Sequence, residues 1–113
     1  PTGWRIPTKS DYETLVESLG GDMIAGGKLK EKGLEHWNSP NLGATDEIGF
    51  TARPGGSRST NFLDIQNHAY FWSTTEYDTS YAYSISLYYN IVVALIWYWP
   101  KYFGFSIRCV RDV

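Results

Sequence analysis

Cysteine occurs once in this chain, at Cys109, and methionine once, at Met23. A lone cysteine excludes an internal disulfide and a cysteine-based zinc cluster, and it leaves the redox compartment unread. Net charge is small as well: ten basic residues against twelve acidic ones give -2, too weak a field to recruit nucleic acid or an anionic membrane. The longest apolar stretch, Ile91 to Trp99, falls well short of the roughly 20 residues of a membrane-spanning helix, so no membrane insertion is expected. Histidine is limited to His36 and His68. Both lie in loop-like sequence outside any Ser/His/Asp arrangement, and solvated loop residues are the expectation for each. The chain starts at Pro1 without an initiator methionine or a signal peptide, which reads as an excised or processed domain.

What is present is enough for one folded unit. At 113 residues, with 42% hydrophobic and 17% aromatic residues, the chain fits a single α+β domain spanning 1–113. Trp4-Arg5-Ile6-Pro7 reads as a short first strand. Thr8 follows as a helix N-cap with Asp11 three positions later, and Tyr12, Leu15, Val16 and Leu19 form one apolar stripe that Gly20-Gly21 ends. A second, shorter helix is expected over Ala25 to Glu31, weakened by its glycines. From Glu35 to Asn67 the chain is rich in Gly, Pro, Asn, Ser and Thr, a loop-rich middle of a length that usually serves binding or catalysis. Strands return at Tyr70–Thr75, Ala82 to about Ala94, and Phe103–Val110, with a turn at Trp99-Pro100-Lys101-Tyr102 closing a C-terminal hairpin. Trp4, Phe71, Trp72, Phe105 and Ile107 alternate with polar neighbours and are assigned to the core. Cys109 reads as a buried, inert thiol in mid-strand. Arg5, Arg108 and Arg111 are expected to pair with carboxylates such as Glu76 or Asp112. Gly55-Gly56-Ser57-Arg58 lacks the strand and helix of a phosphate loop and reads as a turn.

Several motifs occur in one family's order. They are Pro1-Thr2-Gly3-Trp4-Arg5-Ile6-Pro7-Thr8, Ala25-Gly26-Gly27-Lys28-Leu29-Lys30, Gly49-Phe50 with Pro54-Gly55-Gly56, Tyr70-Phe71-Trp72-Ser73-Thr74-Thr75-Glu76, and Gly104 to Asp112. Together they resemble the Fibrobacter succinogenes major paralogous domain and, more widely, the C-type-lectin-like superfamily. The resemblance implies a pairing of first and last strands that closes a ligand-binding loop. It also implies a secreted or bacterial cell-surface setting, including lipoproteins, and in most members no assigned activity. Formylglycine-generating enzymes share the broad fold, but their chemistry rests on paired cysteines that this chain lacks. Calcium-dependent lectins carry Glu-Pro-Asn or Gln-Pro-Asp with Trp-Asn-Asp; Trp37-Asn38-Ser39-Pro40-Asn41 echoes these without the carboxylate. No metal, no cofactor and no enzymatic activity are therefore expected.

One segment departs from the family's pattern. Where the resemblance implies mostly polar residues, often asparagine, Ile91 to Phe103 is apolar and aromatic at unchanged length. A retained frame with replaced contents resembles the variable proteins of diversity-generating retroelements, and deliberate engineering of a binding face leaves the same trace. A pleated strand alternates its side chains, so one set, Ile91-Val93-Leu95-Trp97-Trp99 or Val92-Ala94-Ile96-Tyr98, faces away from the core unless both sides are covered. The alternatives are a doubly buried strand and a hydrophobic contact patch, and the family comparison favours the patch. Tyr81, Tyr83, Leu95, Trp97, Tyr98, Trp99 and Tyr102 are the candidate ligand-binding residues, because Trp and Tyr dominate interface hot spots. A protein ligand is the first expectation. A glycan bound without metal and self-association through 91–99 are the alternatives.

Overall fold

A computed structural model describes residues 3–111. The chain starts with strand β1 (Trp4–Arg5) and helix α1 (Lys9–Ser18). The helix begins where its cap dictates: Thr8 Oγ1 accepts from the Asp11 N–H at 3.1 Å, and the Asp11 carboxylate accepts from the Thr8 N–H at 2.8 Å. This reciprocal box satisfies two orphan donors. Arg5 adds a bidentate pair to the same carboxylate, and these contacts hold the Asp11 pKa well below the usual carboxylate range, the Arg5 hydrogen bond most. Tyr12, Val16 and Leu19 are buried and Leu15 packs beside them. Gly20 and Gly21, both with φ near +100°, end the helix in a conformation that side chains resist.

Helix α2 runs Asp22–Leu29, starting three residues before the expected Ala25. Its glycines are contact surface. A Cβ on Gly26 would lie 2.3 Å from the Val93 carbonyl oxygen, and one on Gly27 would lie 2.5 Å from that of Gly43. The Gly27 N–H donates to Val92 O at 3.2 Å. Residues 91–93 are therefore a crossing laid against α2, which overturns the expected continuous strand from Ala82 to Ala94.

The loop-rich middle contains only the small ribbon of β2 (Ser57–Arg58) and β3 (Phe62–Leu63). Three longer strands follow: β4 (His68–Glu76), β5 (Tyr81–Tyr88) and β6 (Ala94–Pro100), an antiparallel sheet in the order β4-β5-β6. Phe103–Val110 is not one continuous strand. It follows the outer side of β4 through the Trp72 N–H to Ser106 O and the Ser106 N–H to Tyr70 O, each 3.0 Å. It then ends in β7 (Val110–Arg111), which pairs antiparallel with β1. The fold is α+β, with first and last strands joined.

The core lies between the helices and one face of the sheet, around Trp37, Leu29, Ile85, Leu87 and Phe71. Among the core assignments, Phe71 is buried and Trp72 and Phe105 are half-buried, whereas Trp4 and Ile107 are exposed. Both belong to the thin stretch around the β1–β7 ribbon, which lies outside that core. Cys109 is exposed for the same reason. Glu76 pairs with Lys101 at 2.7 Å, while Arg108 donates to Phe50 O at 2.6 Å and lies over the Phe50 ring. Neither Arg5 nor Arg108 thus takes Glu76, and Asp112 falls outside the described residues.

Candidate functional site

Register assigns each residue of β6 to a face. Ala94, Ile96 and Tyr98 stand opposite Leu87, Ile85 and Tyr83, on the side packed against the helices. Leu95, Trp97 and Trp99 stand opposite Ser86, Ser84 and Ala82, on the other side. The seven candidate residues consequently separate into three groups.

On the helix side Tyr81, Tyr83 and Tyr98 gather with Tyr77. Tyr77 and Tyr98 stack at 3.9 Å between ring centroids, and Tyr81 and Tyr83 meet Tyr98 edge-on at 5.7 and 6.0 Å. The Lys9 ammonium lies 4.4 Å from the Tyr83 ring. Crowding by the Tyr77 phenol, then desolvation, raises the Tyr98 pKa.

On the opposite face Leu95 is 37% and Trp97 58% exposed. The Trp97 ring sits 4.9 Å from that of Tyr98, although successive strand residues start on opposite faces, so both rings lean over the edge of β6. No strand pairs with that edge, and no backbone partner beyond β5 meets Ala94–Trp99 among the described residues. A groove of about 480 Å³ runs between the edge and α1. Glu13, Glu17 and Asp22 carry its carboxylates, Val16 contributes apolar surface, and Leu95 and Trp97 form the sheet side.

Trp99 departs from the exposed set. It is half-buried, with its ring 5.8 Å from Tyr70 and 6.2 Å from Phe103 and Phe105. Phe105 stacks on Tyr70 at 4.6 Å and leans on Trp72 at 4.3 Å. Tyr102, in the turn after β6, is 75% exposed and stacks on Phe103.

His68 corrects its expected place in a solvated loop. It opens β4, half-buried, with Nδ1 2.9 Å from the Tyr70 hydroxyl and 3.4 Å from Asp64. Burial lowers its pKa, outweighing Asp64. His36 sits 2.7 Å from Glu31. Two features had no signal in the sequence. Lys30 is fully buried, its ammonium donating to Leu42 O, Tyr88 O and Ile91 O at 2.8, 2.8 and 3.0 Å. Asp64 meets Tyr70, Trp99, Phe103 and Phe105 around a small cavity. Among the described residues no group of His, Cys, Asp and Glu side chains gathers in a metal-holding cluster, and no helix is long and apolar enough to cross a membrane.

No curated protein and no solved structure matches the chain. The Fibrobacter succinogenes major domain profile matches residues 1–111, which takes in the two helices and three sheets of the described residues and the aromatic segment. The chain belongs to the Fibrobacter succinogenes major domain family.

Proposed function

We propose that this chain is a non-enzymatic, C-type-lectin-like binding domain, secreted or displayed at a bacterial surface, which captures a protein partner along β6. The observation that carries the reading is the open β6 edge, on which Leu95 and Trp97 stand exposed beside a groove walled by acidic residues. An edge strand with unpaired N–H and C=O groups is a template for an added strand. Backbone bonds along it supply affinity, and Trp97 supplies an aromatic anchor. Glu13, Glu17 and Asp22 select the partner: an extended segment carrying basic side chains toward α1 and apolar ones toward Trp97. The β1–β7 closure and the α+β order support the lectin-like reading, and the family's setting supports the location. A binder rather than an enzyme is also the reading that the isolated Cys109 and the Glu31-paired His36 support.

Selection from a displayed library of random peptides tests this. Peptides alternating basic and apolar residues should be enriched, and Trp97→Ala should weaken them about thirtyfold. The melting temperature should hold within about 2 °C, since exposed substitutions cost little. Selected peptides that bind the Trp97→Ala variant equally well would overturn the reading. A mass that doubles with concentration points instead to β6 pairing between two copies, and EDTA-resistant binding on a glycan array to a lectin.

A further inference from the structure

The cavity beside Trp99 takes no part in the groove along β6. Its volume is about 180 Å³, and its lining is dominated by four rings, Tyr70, Trp99, Phe103 and Phe105, with Asp64 and Ser57 as the polar groups. Phe103, Phe105 and Tyr70 lie nearly parallel, 10° and 12° apart in successive pairs. Trp99 closes the arrangement at 73° to 88° to all three. Phe105 packs against Tyr70 and Trp72, and Phe103 turns one face to Tyr102, so the attraction for a cation comes from the ring faces left open, which carry partial negative charge. The carboxylate adds to that attraction, and no Lys or Arg lines the cavity. His68, the nearest basic group to Asp64, is shifted by burial toward its neutral form.

We infer that this cavity is an aromatic cage for a quaternary or trimethylated ammonium group. Size agrees: an apolar cavity of ~150 Å³ admits benzene, which is about as bulky as a trimethylammonium head. Methylation follows from the make-up of the lining. Most of it is ring carbon, with one carboxylate and the Ser57 and Tyr70 hydroxyls as its side-chain acceptors, the latter already 2.9 Å from His68 Nδ1. N–H groups turned toward the rings would go unpaired, whereas a trimethylated nitrogen has no N–H to lose. The cage stands apart from the β6 groove and goes beyond a protein-binding role.

Choline, its carbon isostere with nitrogen replaced by carbon, and ethanolamine are titrated into the whole domain while the aromatic ring resonances are followed by proton NMR. Choline should shift the Trp99, Phe103 and Phe105 signals saturably and bind about tenfold more tightly than the isostere, with ethanolamine weaker than choline. Asp64→Asn should weaken choline about two- to fivefold and leave the isostere unchanged. Asn accepts the positive φ of 61° at this position, so the backbone is kept. Trp97→Ala should leave choline binding intact, which separates this cage from the groove. Equal affinity for choline and its isostere, or no saturable shift, overturns the cage. Once choline binds, a trimethyl-lysine peptide and phosphatidylcholine vesicles, each against its unmethylated counterpart, distinguish a protein from a lipid source of the group.

Discussion

Replacing Lys30 with methionine should cost about 3 kcal/mol, more than any surface change in this domain. The Lys30 ammonium reaches Leu42 O, Tyr88 O and Ile91 O, so one side chain ties the middle loop, the end of β5 and the crossing that leads to β6. Three N–H donors meet three acceptors, a match that only the charged amine provides. Methionine keeps the apolar stem and strands three carbonyls, at ~1 kcal/mol or more each. Burial works against the charge and pushes the Lys30 pKa from 10.5 down to about 8, so the amine stays protonated at neutral pH. Between those two values the unfolded chain binds more protons than the folded one, and stability contributed at Lys30 therefore rises with pH. Urea unfolding of both proteins should show the wild-type advantage growing by about 2 kcal/mol from pH 7 to 9.5. Tyrosine ionisation affects both proteins and cancels in the difference. A loss under about 1 kcal/mol at pH 7 would refute the role given to the carbonyl cluster, and an advantage flat in pH would refute the cost assigned to burial.

Removing the α1 cap with Thr8→Ala should cost about 1 kcal/mol in urea unfolding. Because the Asp11 pKa is depressed in the fold, its stabilisation is present above the unfolded carboxylate value near 4 and fades as acid is added; Asp11→Asn should flatten that acid limb. Gly26→Ala should lower the melting temperature by roughly 10 °C, since its Cβ would press on the Val93 carbonyl and overpacking costs ~1–3 kcal/mol. Tyr12 and Tyr70 are held far above the usual phenol pKa, burial first among the causes. The folded state thus keeps protons that the unfolded chain releases, and stability should fall as pH rises past about 10, followed by circular dichroism. Tyr70→Phe should reduce that slope.

Local signals were legible where neighbours in sequence are neighbours in space. Thr8, Asp11 and the stripe Tyr12-Leu15-Val16-Leu19 mark α1 because a cap and an amphipathic face are both built within three or four residues. The family likewise follows from motifs spread along 1–111. Long-range facts were not legible. Nothing local sets Lys30 apart as buried, because an unpaired lysine is almost never buried and its three carbonyls lie 12, 58 and 61 residues away. Gly26 and Gly27 read as helix weakeners, whereas their value is the room they leave for Gly43 and Val93. Trp4 and Ile107 alternate as core residues do, but they lie in or beside a two-residue ribbon and are exposed, with no second layer over them among the described residues.

The alternation argument for 91–99 identified the two sets of β6 side chains but not the curl that separates the outward one. Trp99 stands opposite Ala82 and Tyr70 opposite Ser86, four residues apart along β5 and one strand to either side. A flat ladder would put their Cα atoms about 16 Å apart, yet their rings come within 5.8 Å. The two side chains therefore lean toward each other across this face, and the register shift in β4 between Trp72 and Glu76 is the kind of irregularity that adds twist and bend to help them meet. That shift begins inside Tyr70–Thr75, which reads as an unbroken strand, so nothing in the residue order announces it. Its consequence is a division of labour within one strand. The end carrying Trp99 folds inward against Tyr70, Phe103 and Phe105 and encloses a cavity, while Leu95 and Trp97, farther back on the open edge, remain outside for a larger partner.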